Sequence, residues 1–188
     1  MKIKEITRPM RTDMEFQFKL MYKLDSDDTD QEAIVERLGE SGCTDALIGI
    51  GVPGRIALDF NREAKSAEVA LLSAMADVKR AVPTATLIEA GPDLVGLTDV
   101  ADLMQVTRQN IRKLSINHSN FPMPVHSGTS AIYHLSEVLN WLLSRGSYQL
   151  TPGILEVAKA TQQINLARSA KQIKIRQGFA NKLAALIA

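Results

Sequence analysis

Leu97-Thr-Asp-Val-Ala-Asp-Leu-Met-Gln-Val-Thr-Arg-Gln-Asn-Ile-Arg-Lys-Leu114, followed by Phe121-Pro-Met-Pro-Val-His-Ser-Gly128 and Leu135-Ser-Glu-Val-Leu-Asn-Trp-Leu142, is the run of residues that decides how this chain is read. Thr98 is a natural N-cap, and Asp99 suits the positive end of a helix dipole, which predicts a short helix from Asp99 to Met104. Gln105 and Val106 form a turn. Thr107 then caps a second helix from Arg108 to about Ser115, with Val106 and Ile111 at the hydrophobic-staple positions. Ile111 and Leu114 point to a core, leaving Arg108, Gln109, Arg112 and Lys113 on other faces. Cationic side chains of this kind meet phosphates or guanine edges, and Gln pairs with adenine; a solvated helix face has the same composition.

The residues beyond the second helix narrow the choice. Each Pro in the stretch 121–125 disfavours helix at its own site and at the residue before it, so that stretch is extended. His126-Ser-Gly-Thr129 supplies a turn and residues 131–135 a returning strand, which together make a two-stranded wing. Ser136 caps a third helix carrying Val138, Leu139, Trp141, Leu142 and Leu143, and Trp141 is expected to pack under the wing.

Taken in order, Leu97-Thr-Asp-Val-Ala-Asp-Leu, Val106-Thr-Arg-Gln, Phe121-Pro-Met-Pro-Val-His-Ser-Gly and Glu137-Val-Leu-Asn-Trp-Leu resemble the winged helix-turn-helix of AlpA and excisionase proteins, relatives of the MerR regulators. The resemblance spans residues 94–143. It implies that the second helix enters the major groove of double-stranded DNA and that the wing touches the flanking backbone. On that basis the DNA contacts are expected from Thr107, Arg108, Gln109, Arg112 and Lys113 of the helix and from His126, Ser127 and Thr129 of the wing. One feature departs from the family: this wing reads Ser127-Gly-Thr-Ser-Ala-Ile, where such wings usually carry Arg or Lys.

Residues 14–90 show a β-α-β-β-α-β rhythm. Phe16, Phe18 and Leu20 alternate with polar residues as in a half-buried strand. Asp30 caps a helix with Ile34 and Leu38 on its apolar side, and Gly42 stops it. Residues 46–50 and 55–60 make a hairpin, Ser66 opens a helix with Val69, Leu72, Ala76 and Val78 at helical spacing, and residues 86–89 are a fourth strand. The order matches the split βαβ, ferredoxin-like plan. Gly49-Ile-Gly-Val-Pro-Gly54 satisfies G-x-G-x-x-G only formally. A dinucleotide site needs a helix opening on the glycines, and here a Pro and a strand come next. The acidic run from Asp25 to Asp30 lacks the glycine and distal Glu of a calcium loop.

Thr151-Pro152 reads as an N-cap with Pro in the first turn of a long helix, extending to about Arg176. Ile154, Val157, Thr161 and Ile164 recur along it as a narrow stripe. That stripe is either a fold-back face or, as in MerR-like regulators, a seam between two copies. The seam is favoured, with an edge strand of the front module as the second candidate interface.

The expected organisation is therefore α+β: a ferredoxin-like βαββαβ domain over 1–92 for sensing or assembly, a winged helix-turn-helix over 93–146, and a helical tail over 147–188. Residues 1–96 hold 12 Lys and Arg against 17 Asp and Glu, whereas residues 151–188 hold 6 against 1. An acidic front and a basic tail suit a modular protein whose binding energy comes from phosphate neutralisation. Cys43 is the only cysteine, which points to a reducing cytoplasm, and no apolar run is long enough for a membrane span. His118, His126 and His134 are spread along a loop and the wing, so no metal site is expected. Nor is a cofactor or an enzyme active site. The function expected is a dimeric transcriptional regulator on an inverted repeat, with a possible small-molecule or protein effector at the front domain. Two rivals stay open: an excisionase-like architectural factor, and a protein-interaction adaptor whose helix-turn-helix does not bind DNA.

Overall fold

The computed structural model describes residues 13–28, 30–173, 175 and 177–186. Its architecture is mixed α+β, with two antiparallel sheets and seven helices among the described residues. The long helix expected to reach about Arg176 ends at Gln172, where Ile173 is extended; Lys174, Arg176 and Ile187 lie outside the described residues.

The first sheet is built by β1 (Met14–Lys23), β2 (Ala46–Gly49), β3 (Arg55–Ala64) and β4 (Thr86–Gly91), in the order β2-β3-β1-β4. In β1, Phe16, Phe18, Leu20 and Tyr22 alternate inward and are all buried, as period-2 patterning requires. Phe18 stacks on Phe60 of β3, directly opposite in register, with centroids 5.1 Å apart. Helices α1 (Gln31–Glu40) and α2 (Ala67–Ala81) complete this core. Asp30 caps α1 by accepting from the Ala33 N–H at 3.0 Å, and Ser66 caps α2 through Val69 N at 3.3 Å. The face of α2 that packs differs from the one the large residues suggest. Ala67, Ala70, Leu71, Ala74 and Val78 are buried, whereas Val69 and Leu72 are 52% and 61% exposed. A stripe of alanines lets the helix lie close to its neighbours.

Arg62 is the one charged side chain buried in this unit among the described residues. Its Nε and Nη2 donate to Asp45 at 2.7 and 3.0 Å, and its Nη1 donates to Asp77 at 2.8 Å and to the Ser73 hydroxyl at 3.1 Å. Nη2 also reaches the Gly42 carbonyl at 3.0 Å, so the guanidinium fastens β3 to the loop after α1 and to α2. Cys43 is buried beside this cluster. Burial, assisted by the nearby Asp77 carboxylate, pushes its thiol up to about 11, which keeps it neutral and unreactive near pH 7.

The second sheet, in the order β5-β7-β6, joins β5 (Leu94–Val95), β6 (His126–Ser127) and β7 (Ala131–His134). Helices α3 (Leu97–Leu103), α4 (Arg108–Asn117) and α5 (Leu135–Ser144) pack with it around Val100, Ile111, Phe121, Tyr133, Leu139 and Trp141. Three local expectations are corrected by this arrangement. Helix α3 starts two residues before Asp99, because Gly96 is its N-cap and the Asp99 carboxylate reaches back to the Gly96 N–H at 2.7 Å. Ser136 is inside α5 rather than capping it, and its hydroxyl donates to Gln162 Oε1 at 2.6 Å. His126 and Ser127 lie in a strand, and the turn is confined to residues 128–130.

Helix α6 (Ile154–Gln172) is followed by α7 (Gln177–Ala184). The N-cap of α6 is Gly153, with φ +83; a Cβ there would also come within 3.1 Å of the Phe16 ring, so only glycine fits. The stripe expected to join two copies is used inside this chain. Val157 and Thr161 are fully buried and Ile164 packs on the first core, while Ile154 packs on the second. The Thr161 hydroxyl donates to the Pro92 carbonyl at 2.7 Å. Asn165 brackets Ala90, donating to its carbonyl at 2.8 Å and accepting from its N–H at 2.9 Å. The seam is therefore a fold-back face, and α6 ties the two cores together. No helix among the described residues is long and apolar enough to cross a membrane.

Candidate functional site

Helices α3 and α4 meet through a turn that begins at Met104. Gln105 adopts φ +54, the only positive φ at a non-glycine among the described residues. Its N–H donates to Asp102 O and that of Val106 to Ala101 O, which satisfies carbonyls at the end of α3. A left-handed residue with a Cβ costs about 1–2 kcal/mol. Gln105→Gly is thus expected to raise stability by up to about 1 kcal/mol by chemical denaturation, less than the full strain because glycine loses more chain entropy. A loss of stability would show that the Gln105 side chain contributes more than the strain takes away.

Thr107 caps α4 as its sequence position suggests, accepting from the Asn110 N–H at 3.2 Å. Ile111 is fully buried and Leu114 half-buried, which fixes the rotation of the helix. Arg108, Gln109, Arg112 and Lys113 are all exposed on the remaining faces. None of the three cations makes an ion pair among the described residues. Asn110 also faces outward and accepts from the Tyr148 hydroxyl at 3.3 Å.

The arginines of α4 and the β6–β7 turn share one cleft of about 350 Å³. Arg108 and Arg112 line it together with Gly128, Thr129 and Ser130. Thr98 at the start of α3 and Ser115 of α4 also line it. The β6–β7 turn carries no Lys or Arg, yet its Thr129 and Ser130 line the same cleft as the two arginines. A Cβ at Gly128 would come within 2.6 Å of His126 Nε2, so a larger residue there would displace the exposed imidazole. His126 and Ser127 are exposed on β6 but do not line the cleft, and neither do Gln109 and Lys113. Comparison of the chain with protein-family models, with curated proteins and with solved structures gives no match.

Sequence reasoning misses Thr98, Ser115 and Ser130 as members of this cleft. The position of Thr98 suggests a cap that Gly96 provides instead, and an isolated Ser on a helix carries no signal of what lies opposite. The third strand, β5, escapes for a similar reason: two residues are too few to show a period. That strand matters, because Leu94 pairs with His134 and Val95 with Tyr133, which anchors the inner strand of the turn. Behind the cleft, Trp141 holds the assembly, in edge contact with Phe121 at 4.9 Å and tilted against His118 at 5.6 Å. Among the described residues no group of three or more His, Cys, Asp or Glu side chains is placed to hold a metal ion.

Proposed function

We propose that this chain is a sequence-specific DNA-binding regulator. In this reading residues 94–143 form a winged helix-turn-helix of the AlpA and excisionase type, related to MerR regulators, and α4 is the recognition helix. Residues 13–92 are read as a ferredoxin-like module, a plan that the antiparallel order β2-β3-β1-β4 supports. The observation that carries the reading is the shared cleft of Arg108, Arg112, Thr129 and Ser130, with no anion on either arginine among the described residues. Two unpaired guanidinium groups beside hydroxyl donors suit a backbone phosphate. Gln109 and Lys113, off the cleft on the same helix, are left to face base edges, where Gln pairs with adenine in two hydrogen bonds. His126 and Ser127 then lie against the flanking backbone.

The test is selection of bound sequences from a random duplex pool. A single preferred motif is expected, and Gln109→Ala should relax one position of it at a cost of about 1–3 kcal/mol. Recovery of unselected sequence from the wild-type chain would overturn sequence specificity. The rival reading, a protein-interaction adaptor, draws on the exposed apolar residues Ile116, Met123 and Val125 beside the wing; it predicts no duplex binding at all.

A single unit offers few base contacts, so the reading includes a two-fold dimer on an inverted repeat. With the α6 stripe used internally, the open edge of β2 is the interface proposed. Among the described residues this strand pairs only with β3, and Leu47 on it is 75% exposed. Sedimentation is expected to give a dimer that Leu47→Glu converts to monomer. A wild-type chain that sediments as a monomer, free and on DNA, would end the dimer proposal.

A further inference from the structure

We propose that the cleft between β4, β5 and α6 binds a small apolar monocarboxylate, with Arg168 as its charge partner. The cleft measures about 340 Å³, at the small end of ligand sites, and lies where the two sheets and α6 converge. Ile88, Leu94 and Leu166 give it apolar walls, and Leu94 and Leu166 remain about half exposed.

Arg168 makes no hydrogen bond or ion pair among the described residues, and its Nε is buried without a partner. A buried guanidinium donor left unmade is costly, and a carboxylate satisfies it with two charge-assisted hydrogen bonds. The neighbouring carboxylate cannot do so. Asp93, 1% exposed, accepts from Asn165 Nδ2 at 2.8 Å and from His134 Nδ1 at 2.7 Å, so both its oxygens are engaged. That hydrogen bond also fixes the imidazole, leaving Nε2 of His134 as a second polar contact in the cleft. Glu89 stands on the wall without an ion pair among the described residues. Its charge disfavours a phosphate dianion and selects a ligand with one negative charge and an apolar body.

His134 is the last residue of β7, the strand that carries the wing turn, and the Asp93 carbonyl accepts from Leu135 N at 2.7 Å. A ligand here touches the strand that ends at the proposed DNA contact. Only that coupling rests on the DNA reading; the binding site does not.

The test uses the full chain without DNA and phenylacetate as the probe, by calorimetry and by amide chemical-shift mapping. Phenylacetate is expected to bind saturably, to shift the amides of Ile88, Leu94 and Leu166, and to weaken about tenfold or more in Arg168→Gln. Its neutral isostere 2-phenylethanol and inorganic phosphate should each bind at least about tenfold more weakly, the first for lack of charge and the second for lack of an apolar body. Glu89→Gln should tighten phenylacetate. Absence of saturable binding, shifts confined to other residues, or unchanged affinity in Arg168→Gln would overturn the proposal. Failure of the chain to bind DNA would leave these readouts unaffected.

Discussion

Trp141→Ala is expected to destabilise the chain by about 3–5 kcal/mol, the usual cost of emptying a buried aromatic site. The ring is 8% exposed, and it joins three pieces of the second core: Phe121 before the wing, His118 at the end of α4, and Arg145, whose guanidinium lies 4.9 Å above it. Removing it leaves a cavity that cannot collapse, because its neighbours come from separate elements. The indole Nε1 is buried with no hydrogen-bond partner among the described residues, so Trp141→Phe gives up less than the change to alanine and removes an unsatisfied donor. For a chain of this size the alanine variant should melt roughly 10 °C lower. Denaturant titration checks both substitutions. Equal losses for Phe and Ala, or no loss for Ala, would show that the ring is not a packing element.

The second large effect is expected at Arg62. Substitution by Met keeps much of the side-chain volume but takes the cation from Asp45 and leaves Asp77 with only the more exposed Arg80, 3.1 Å away. Breaking a buried ion pair costs about 3–5 kcal/mol, and the partial exposure of both carboxylates lowers this to about 2–4 kcal/mol. Adding Asp45→Asn and Asp77→Asn to Arg62→Met should recover a large part of that loss, because the uncompensated charges go with the cation. If the triple variant is no better than Arg62→Met, packing rather than charge accounts for the cost.

These two sites differ in how far a sequence reveals them. Trp141 is legible: a large aromatic on a strongly apolar helix has few places to go. Arg62 is not, because nothing in Asn-Arg-Glu says that its partners wait 17 residues before and 15 after it. The same division runs through the fold. In β1 the alternation of Phe16, Phe18 and Leu20 is a signal no other structure produces. In α2 the large residues Val69 and Leu72 suggest the wrong face, since the sheet is covered by alanines whose individual contributions are small. The stripe on α6 is legible as apolar, but periodicity cannot say whether a stripe meets its own chain or another copy. At the candidate site, the rotation of α4 follows from Ile111 and Leu114. The hydroxyl groups that share the cleft with its arginines do not, because they come from residues 98, 129 and 130, on α3 and the β6–β7 turn, which meet α4 only in the folded chain.

The most direct test of the central claim is the affinity for a duplex as a function of salt, for the wild-type chain and for the Arg108→Ala/Arg112→Ala variant. Each phosphate contact contributes about 0.9 to the slope of log K against log salt on duplex DNA. The wild-type chain should bind with a steep slope, and the variant with weaker affinity and a slope shallower by about 0.9, the share of the one phosphate the two arginines hold. Identical affinity and slope in the two proteins, with the fold intact, would contradict the assignment of α4 and its cleft to DNA.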